Sequence, residues 1–191
     1  MKHRPPFEIE TDHVLLFSRK GEIVRIEPWG ENSLRVRATL NHALRDPDWA
    51  LLEPGGKNAV IETHSDHAVV TNGDIQARIS ARGQITILRK SDGEILLEEL
   101  PPMSNRVVME YPGRLYEYLQ GDNYRLRLCY QSDPGEKIFG LGEHQHGYLD
   151  QKGTAIDLYH HNTEFIIPFY VSSKKYGFLW HNPAIGHVEL A

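Results

Sequence analysis

Cysteine is nearly absent from this sequence: Cys129 is the one such residue in 191. It has no partner for an internal disulfide or for a zinc site built on Cys pairs, which agrees with a reducing compartment. Long apolar runs are missing as well. Behind the charged, proline-bearing start MKHRPPFEIE, no stretch reaches the length of a signal-peptide core or a membrane span. A soluble, cytoplasmic chain with no membrane partner is therefore expected. Neither sign of charge dominates, since 21 Lys and Arg stand against 26 Asp and Glu for a formal charge of -5. That leaves no basic footprint for nucleic acid. No window of helical length holds a 3.6-residue apolar stripe, and there is no internal repeat or low-complexity tract.

What is present is period-two alternation. With 40% hydrophobic and 25% charged residues, the chain has the composition of an ordinary globule and is long enough to bury a core as one domain, 1–191. In SLRVRATL, Leu34, Val36, Ala38 and Leu40 fall on one face and Arg35, Arg37 and Thr39 on the other. DIQARIS places Ile75, Ala77 and Ile79 inward, and YRLRLCY does the same with Tyr124, Leu126, Leu128 and Tyr130. These are half-buried strands. Asn72-Gly73 offers two residues that tolerate positive φ, as a type I′ hairpin requires, and Ala81-Arg82-Gly83 suits a three-residue loop. With Asp92-Gly93 as the next turn, 67–98 reads as a four-stranded meander. Further strands are expected near 13–17, 22–27, 154–160, 166–172 and 176–181. The stretches 41–58 and 100–122 mix Pro and Gly with aromatics and read as long connections. So many short antiparallel strands must cover their apolar faces with another sheet, which predicts an all-β fold of β-sandwich type.

The stretch IFGLGEHQHGYLDQKG, from Ile138 to Gly153, is the densest in polar chemistry. Glu143, His144 and His146 are ligand-capable neighbours, and His160, His161 or His181 can complete a set. Zinc signatures, however, carry Cys pairs or His-Glu-x-x-His on a helix, and neither occurs here; no metal and no cofactor are expected. One reading is a solvated loop in which Gly140 and Gly142 let the backbone pass close to a neighbour. Another is ligand contact, since imidazole, amide and phenol groups on a loop above a sandwich suit sugar hydroxyls. Elsewhere, Trp29 and Trp49 read as core or loop anchors, and IIPFYVSSKKYGFLWHN as two buried strands around a Ser-Ser-Lys-Lys turn. Cys129 lies on the face with Arg125 and Arg127, and nothing sets it up as a nucleophile.

Three landmarks in this order, Phe139-Gly140-Leu141-Gly142-Glu143, Pro168-Phe169-Tyr170 and Tyr176-Gly177-Phe178 before Asn182-Pro183, resemble the amino-terminal domain of family 31 glycoside hydrolases, the α-glucosidases and α-xylosidases. The resemblance implies a galactose-mutarotase-like β-sandwich of supersandwich type placed before a (β/α)₈ barrel. It further implies retaining hydrolysis by two barrel carboxylates about 5 to 5.5 Å apart. A barrel takes roughly 250 residues of its own, so the catalytic pair is expected after Ala191, no residue of this chain is expected to be catalytic, and the chain alone should be inactive. The family gives the glutamate at Glu143 no catalytic role; tying the loop to backbone amides or a cation is the role expected. The implied partners are the chain's own carboxy-terminal barrel and an oligosaccharide, with self-association through an uncovered apolar face. A loop from this domain is expected to reach the leaving-group subsite, with His144, Gln145, His146, Tyr148 and His161 as the sugar-contacting candidates. GLGEHQHGY is similar to the α-xylosidase form in particular. Two alternatives stand beside this: a free-standing carbohydrate-binding module with Tyr111, Tyr116, Tyr118 and Tyr124 as its platform, and an aldose mutarotase in which histidines and a glutamate move protons.

Overall fold

Alternating side chains with two-residue and three-residue turns between them leave the backbone one economical solution, the antiparallel ladder. A computed structural model describes residues 6–41, 43–44, 50–52, 58–101 and 113–191. Among them every regular element is a strand, and all pairings are antiparallel. They group into two compact units, Met1–Gln131 and Ser132–Ala191.

In the first unit, β1 (Phe7–Thr11), β2 (Val14–Arg19), β3 (Glu22–Pro28) and β4 (Leu34–Thr39) form one sheet in that order. A second sheet runs β5 (Val60–Thr63), β6 (His67–Asn72), β7 (Ile75–Ser80), β8 (Ile85–Arg89) and β9 (Ile95–Glu98). Phe7, Leu15, Phe17, Val24 and Ile26 from the first sheet meet Ala68, Val70, Ala77, Ile79 and Ile85 from the second in one buried cluster. Each of the larger side chains contributes on the order of 1.5–3 kcal/mol by leaving water. The four-stranded meander expected over 67–98 gains β5 as a fifth, edge strand.

Two local readings need correction. Asn72 pairs with Ile75, so Gly73 and Asp74 make the turn rather than Asn72 and Gly73. The reason is that Asn72 is buried and its amide donates to the carbonyls of Gly30 and Ser33, at 2.9 and 2.7 Å. In β4, Leu34 and Ala38 pack on the core, but Val36 and Leu40 are exposed while Thr39 is buried. Thr39 is drawn in by the Tyr124 hydroxyl, 2.9 Å from its own.

The connection expected over 100–122 contains β10 (Arg114–Tyr118), paired with β11 (Tyr124–Leu128). Arg114 explains how an exposed-looking hairpin is held. Its guanidinium donates to Glu22 Oε1 at 2.7 Å, to the Gly83 carbonyl at 2.6 Å and to the buried Glu99 carboxylate. Tyr116 donates its hydroxyl to the same Glu22 oxygen at 2.8 Å. Burial pushes the Glu99 carboxyl up, against the attraction of Arg114. Burial also works against the charge on Arg114, but the two carboxylates outweigh it and hold the guanidinium charged.

The second unit comprises β12 (Ile138–Glu143), β13 (Ala155–Leu158), β14 (Phe165–Ser172), β15 (Gly177–Leu179) and β16 (Gly186–Glu189). Its strands form a sheet of order β12-β14-β15 and a separate pair, β13 with β16. Glu136 is buried here and accepts the hydroxyls of Ser172 and Tyr176. Burial pushes the neighbouring Tyr170 phenol up to about 12. The expectation that 166–182 holds two buried strands is half corrected. On β14 only alternate residues are buried, and Phe165, Ile167, Phe169 and Val171 face outward.

Candidate functional site: two ring-bearing loops

The polar stretch is carried by a crossover. Gly140 pairs with Tyr170 but Gly142 with Ile166, so Leu141 alone stands opposite Ile167, Pro168 and Phe169. Pro168, which has no N–H to give a ladder, occupies this bulge in the central strand, one of the few places a sheet tolerates proline. Gly140, Leu141 and Gly142 all take positive φ, at 119°, 66° and 106°. A Cβ on Gly142 would lie 1.9 Å from the Phe165 carbonyl oxygen, and one on Gly140 would lie 2.8 Å from that of Phe169. The Phe-Gly-Leu-Gly and Pro-Phe landmarks are thus two sides of one close approach.

Past the crossover the chain leaves the sheet as a loop, 144–149, whose far end is tied back to its root. Asp150 Oδ1 accepts the Ile138 and Lys152 amides at 3.0 and 3.1 Å, and the Gln151 amide donates to the Ile138 carbonyl at 2.7 Å. The two backbone amides hold the Asp150 carboxyl below its ordinary range. The backbone tie expected of Glu143 is made by Asp150 instead; Glu143 itself is exposed.

On this loop three rings stack. His144 and His146 lie 5.2 Å apart between centroids with planes 16° from parallel, and His146 and Tyr148 lie 5.0 Å apart at 28°. The stack is set by Gly147 at φ 70° and by the Tyr148 amide, which donates to His146 Nδ1 at 3.1 Å. Tyr148 ends the ladder with 65% of its surface exposed. His144 sits deeper, its Nε2 shielded from solvent and without a hydrogen-bond partner among the described residues. A second loop, 159–164, carries Tyr159 against His161 at 4.1 Å, and beside it His160 meets Phe165 edge-on at 5.6 Å. Gln145 joins the two loops: its side-chain amide donates to the Thr163 hydroxyl and its backbone amide to Glu164 Oε1, the latter at 3.4 Å.

The candidate residues therefore divide. His146, Tyr148 and His161 display rings at the surface, His144 supports the ladder, and Gln145 is engaged with the neighbouring loop. Thr163, Glu164 and Asp150 fall within the polar stretches 144–152 and 160–165, but their contacts were not legible in the sequence, because they depend on the register across 18 or 19 residues or on the loop's closing point. No three or more His, Cys, Asp or Glu among the described residues are arranged to hold a metal ion. Of the tyrosines offered as a binding platform, Tyr111 lies outside the described residues, while Tyr116 and Tyr124 pack edge to face at 5.2 Å with Tyr116 tied to Glu22. Only Tyr118 is broadly exposed, and its hydroxyl donates to the Gly121 carbonyl.

This fold and crossover define an all-β domain of galactose-mutarotase type. Residues 23–189 match the glycosyl hydrolase 31 N-terminal galactose mutarotase-like domain, and the chain belongs to that family. It is 34% identical over 197 residues to an uncharacterized family 31 glucosidase of Pseudescherichia vulneris, covering 96% of this chain and 37% of the relative. Alpha-xylosidase A of Aspergillus niger is 25% identical over 200 residues, covering 88% and 25%. Among solved structures, a GH31 alpha-xylosidase from a soil metagenome, complexed with xylose, superposes with a TM-score of 0.90 at 36% identity, covering 97% of this chain and 29% of that one. The chain thus spans little more than a third of these relatives' length at most.

Proposed function

We propose that this chain is the accessory β-sandwich of a retaining α-glycosidase of α-xylosidase or α-glucosidase type, packing on the catalytic barrel and lending its ring-bearing loops to the leaving-group subsite. The observation that carries this reading is the ladder ending in the exposed Tyr148, held on a loop tied at both ends. A stacked, presented ring suits the apolar face of a sugar, and the adjacent imidazoles and amides suit its hydroxyls. His146, Tyr148 and His161 are the contact residues in this reading, and His144 and Gln145 hold them. Supporting the docking role, Phe165, Ile167, Phe169 and Val171 with Leu179 present a row of outward apolar side chains on one sheet. Such a row on a soluble domain marks an interaction surface. The similarity to the xylose-complexed enzyme favours α-xylosides among the substrates. Of the platform tyrosines that are described, Tyr116 and Tyr124 pack on each other and the Tyr118 hydroxyl is tied to Gly121, which disfavours the free-standing binding module.

The test is made in the enzyme that joins this domain to its barrel. Tyr148→Ala or His146→Ala should lower kcat/KM for extended oligosaccharides several-fold, roughly the 0.5–1.5 kcal/mol of one hydrogen-bond-type contact. An aryl α-xyloside with a small, good leaving group should be spared. Equal losses on both substrates would sink the subsite role.

A further inference from the structure

Four non-glycine residues among those described have positive φ: Lys20, Leu141, Thr163 and Lys175. Lys20 and Lys175 are unbranched and lie at tight turns, and Leu141 belongs to the crossover. Thr163, at φ 75°, is the β-branched one, and a β-branched side chain in the left-handed region is a genuine steric outlier. Such strain persists where the surroundings over-determine it, which happens at ligand clamps more than elsewhere. What Thr163 gains in return is visible: its hydroxyl accepts the Gln145 side-chain amide, and the next residue, Glu164, accepts the Gln145 backbone amide. Gln145 sits between the two stacked imidazoles in sequence, so fixing it fixes the root of the His144, His146, Tyr148 ladder. The other end of the strap is just as placed, since Thr163 follows His161, stacked on Tyr159, and precedes Phe165, which meets His160.

We infer that Thr163 is a positioning residue, a strained latch whose hydroxyl, through Gln145, aligns the rings of the two loops as one surface. Its consequence for sugar recognition rests on the contact role proposed above for His146 and Tyr148; the latch itself does not. A hydroxyl is needed and a methyl is not, so Thr163→Ser should work where the isosteric Thr163→Val fails. Thr163→Gly removes the strain and the hydroxyl together, and should open the latch while leaving a fold at least as stable as that of Thr163→Val.

The experiment measures amide exchange and ring-proton shifts of the 191-residue chain by NMR. In Thr163→Val and Thr163→Gly the amides of 144–148 should exchange roughly two- to tenfold faster, the loss of about one hydrogen bond, and the ring-current shifts of His146 and Tyr148 should relax. Thr163→Ser should restore both. Wild-type exchange and ring shifts in Thr163→Val, or failure of Thr163→Ser to restore them, would overturn the latch. If the latch variants behave as expected but Tyr148→Ala and His146→Ala leave kcat/KM for extended oligosaccharides unchanged in the enzyme that carries the barrel, the latch stands and the sugar-contact reading falls.

Discussion

Replacing Gly142 by alanine tests whether the Gly-Leu-Gly motif is a matter of space or merely of loop flexibility. The added Cβ would be placed 1.9 Å from the Phe165 carbonyl oxygen, 2.8 Å from the Phe165 carbonyl carbon and 3.0 Å from Ile166 Cα. All three are backbone atoms, so no side chain can swing aside, and β12 must move from β14 by more than an ångström. Three losses then add. Holding alanine at φ 106° costs about 1–2 kcal/mol. One β12–β14 hydrogen bond beside the site goes, at about 1 kcal/mol. Part of the burial of Ile166 goes with it, again on the order of 1 kcal/mol. The sum is about 3–4 kcal/mol, a large share of the roughly 5–15 kcal/mol that holds a domain folded.

Gly147→Ala is the matched control, because Gly147 also has positive φ, 70°, but no atom lies within 4 Å of its would-be Cβ. It should lose only the conformational part, about 1 kcal/mol. Urea unfolding, with amide exchange at Ile166 as the local probe, separates the two. In a thermal scan the losses correspond to roughly 6–16 °C for Gly142→Ala against about 2–4 °C for Gly147→Ala. Equal losses in both variants would refute the close-approach explanation and reduce the motif to a flexible hinge.

In the first unit, Arg114→Met should destabilise by about 3–5 kcal/mol, because it leaves the carboxylates of Glu22 and Glu99 without their shared cation. Adding Glu22→Gln and Glu99→Gln should return part of the loss, measured as the shift in urea midpoint, and no recovery would mean that Arg114 acts by packing alone. In the second unit, the lowered Asp150 carboxyl fixes the sign of a pH effect. Its contribution is present above its ordinary value of 3.8 and fades as pH falls below that through the folded value. Protection of the 144–149 amides, corrected for intrinsic exchange, should drop on acidification below about pH 4, and the drop should be smaller in Asp150→Asn. An unchanged profile in that variant would assign the effect to other carboxylates.

The strands legible in the sequence were those whose period-two pattern is set by a single buried face. Ile75, Ala77 and Ile79 alternate with polar residues because β7 lies in the middle of a sheet with one face on the core. β12 was hidden for the opposite reason. Its glycines are demanded by the backbone of another strand, so Phe-Gly-Leu-Gly carries no alternation and reads as a loop. β14 was visible as a strand, but its two faces could not be told apart, since Phe165, Ile167, Phe169 and Val171 are as apolar as the residues between them. At the site, the location of the loop could be read and the work of each side chain could not. Whether Gln145 meets a sugar or Thr163 depends on how 145 and 163 come to lie side by side, which the β12–β14 register decides from a distance.

That division bears on how such a domain can change specificity. The landmarks that made the family recognisable, Gly140, Leu141 and Gly142 against Pro168 and Phe169, make a close backbone crossing whose geometry admits few substitutions. His146, Tyr148 and His161 stand at the surface, where replacement should cost little stability. A rigid root with a replaceable tip lets the loop's rings be exchanged without rebuilding the sheet, provided the strap holding the tip survives. Gln145 and Thr163 therefore occupy the intermediate position: they touch neither the core nor, in this reading, the sugar, yet they set where the exchangeable rings point. In the proposed subsite role, variation at His146 or Tyr148 should alter which leaving group is favoured, whereas variation at Thr163 should blur the preference for all of them.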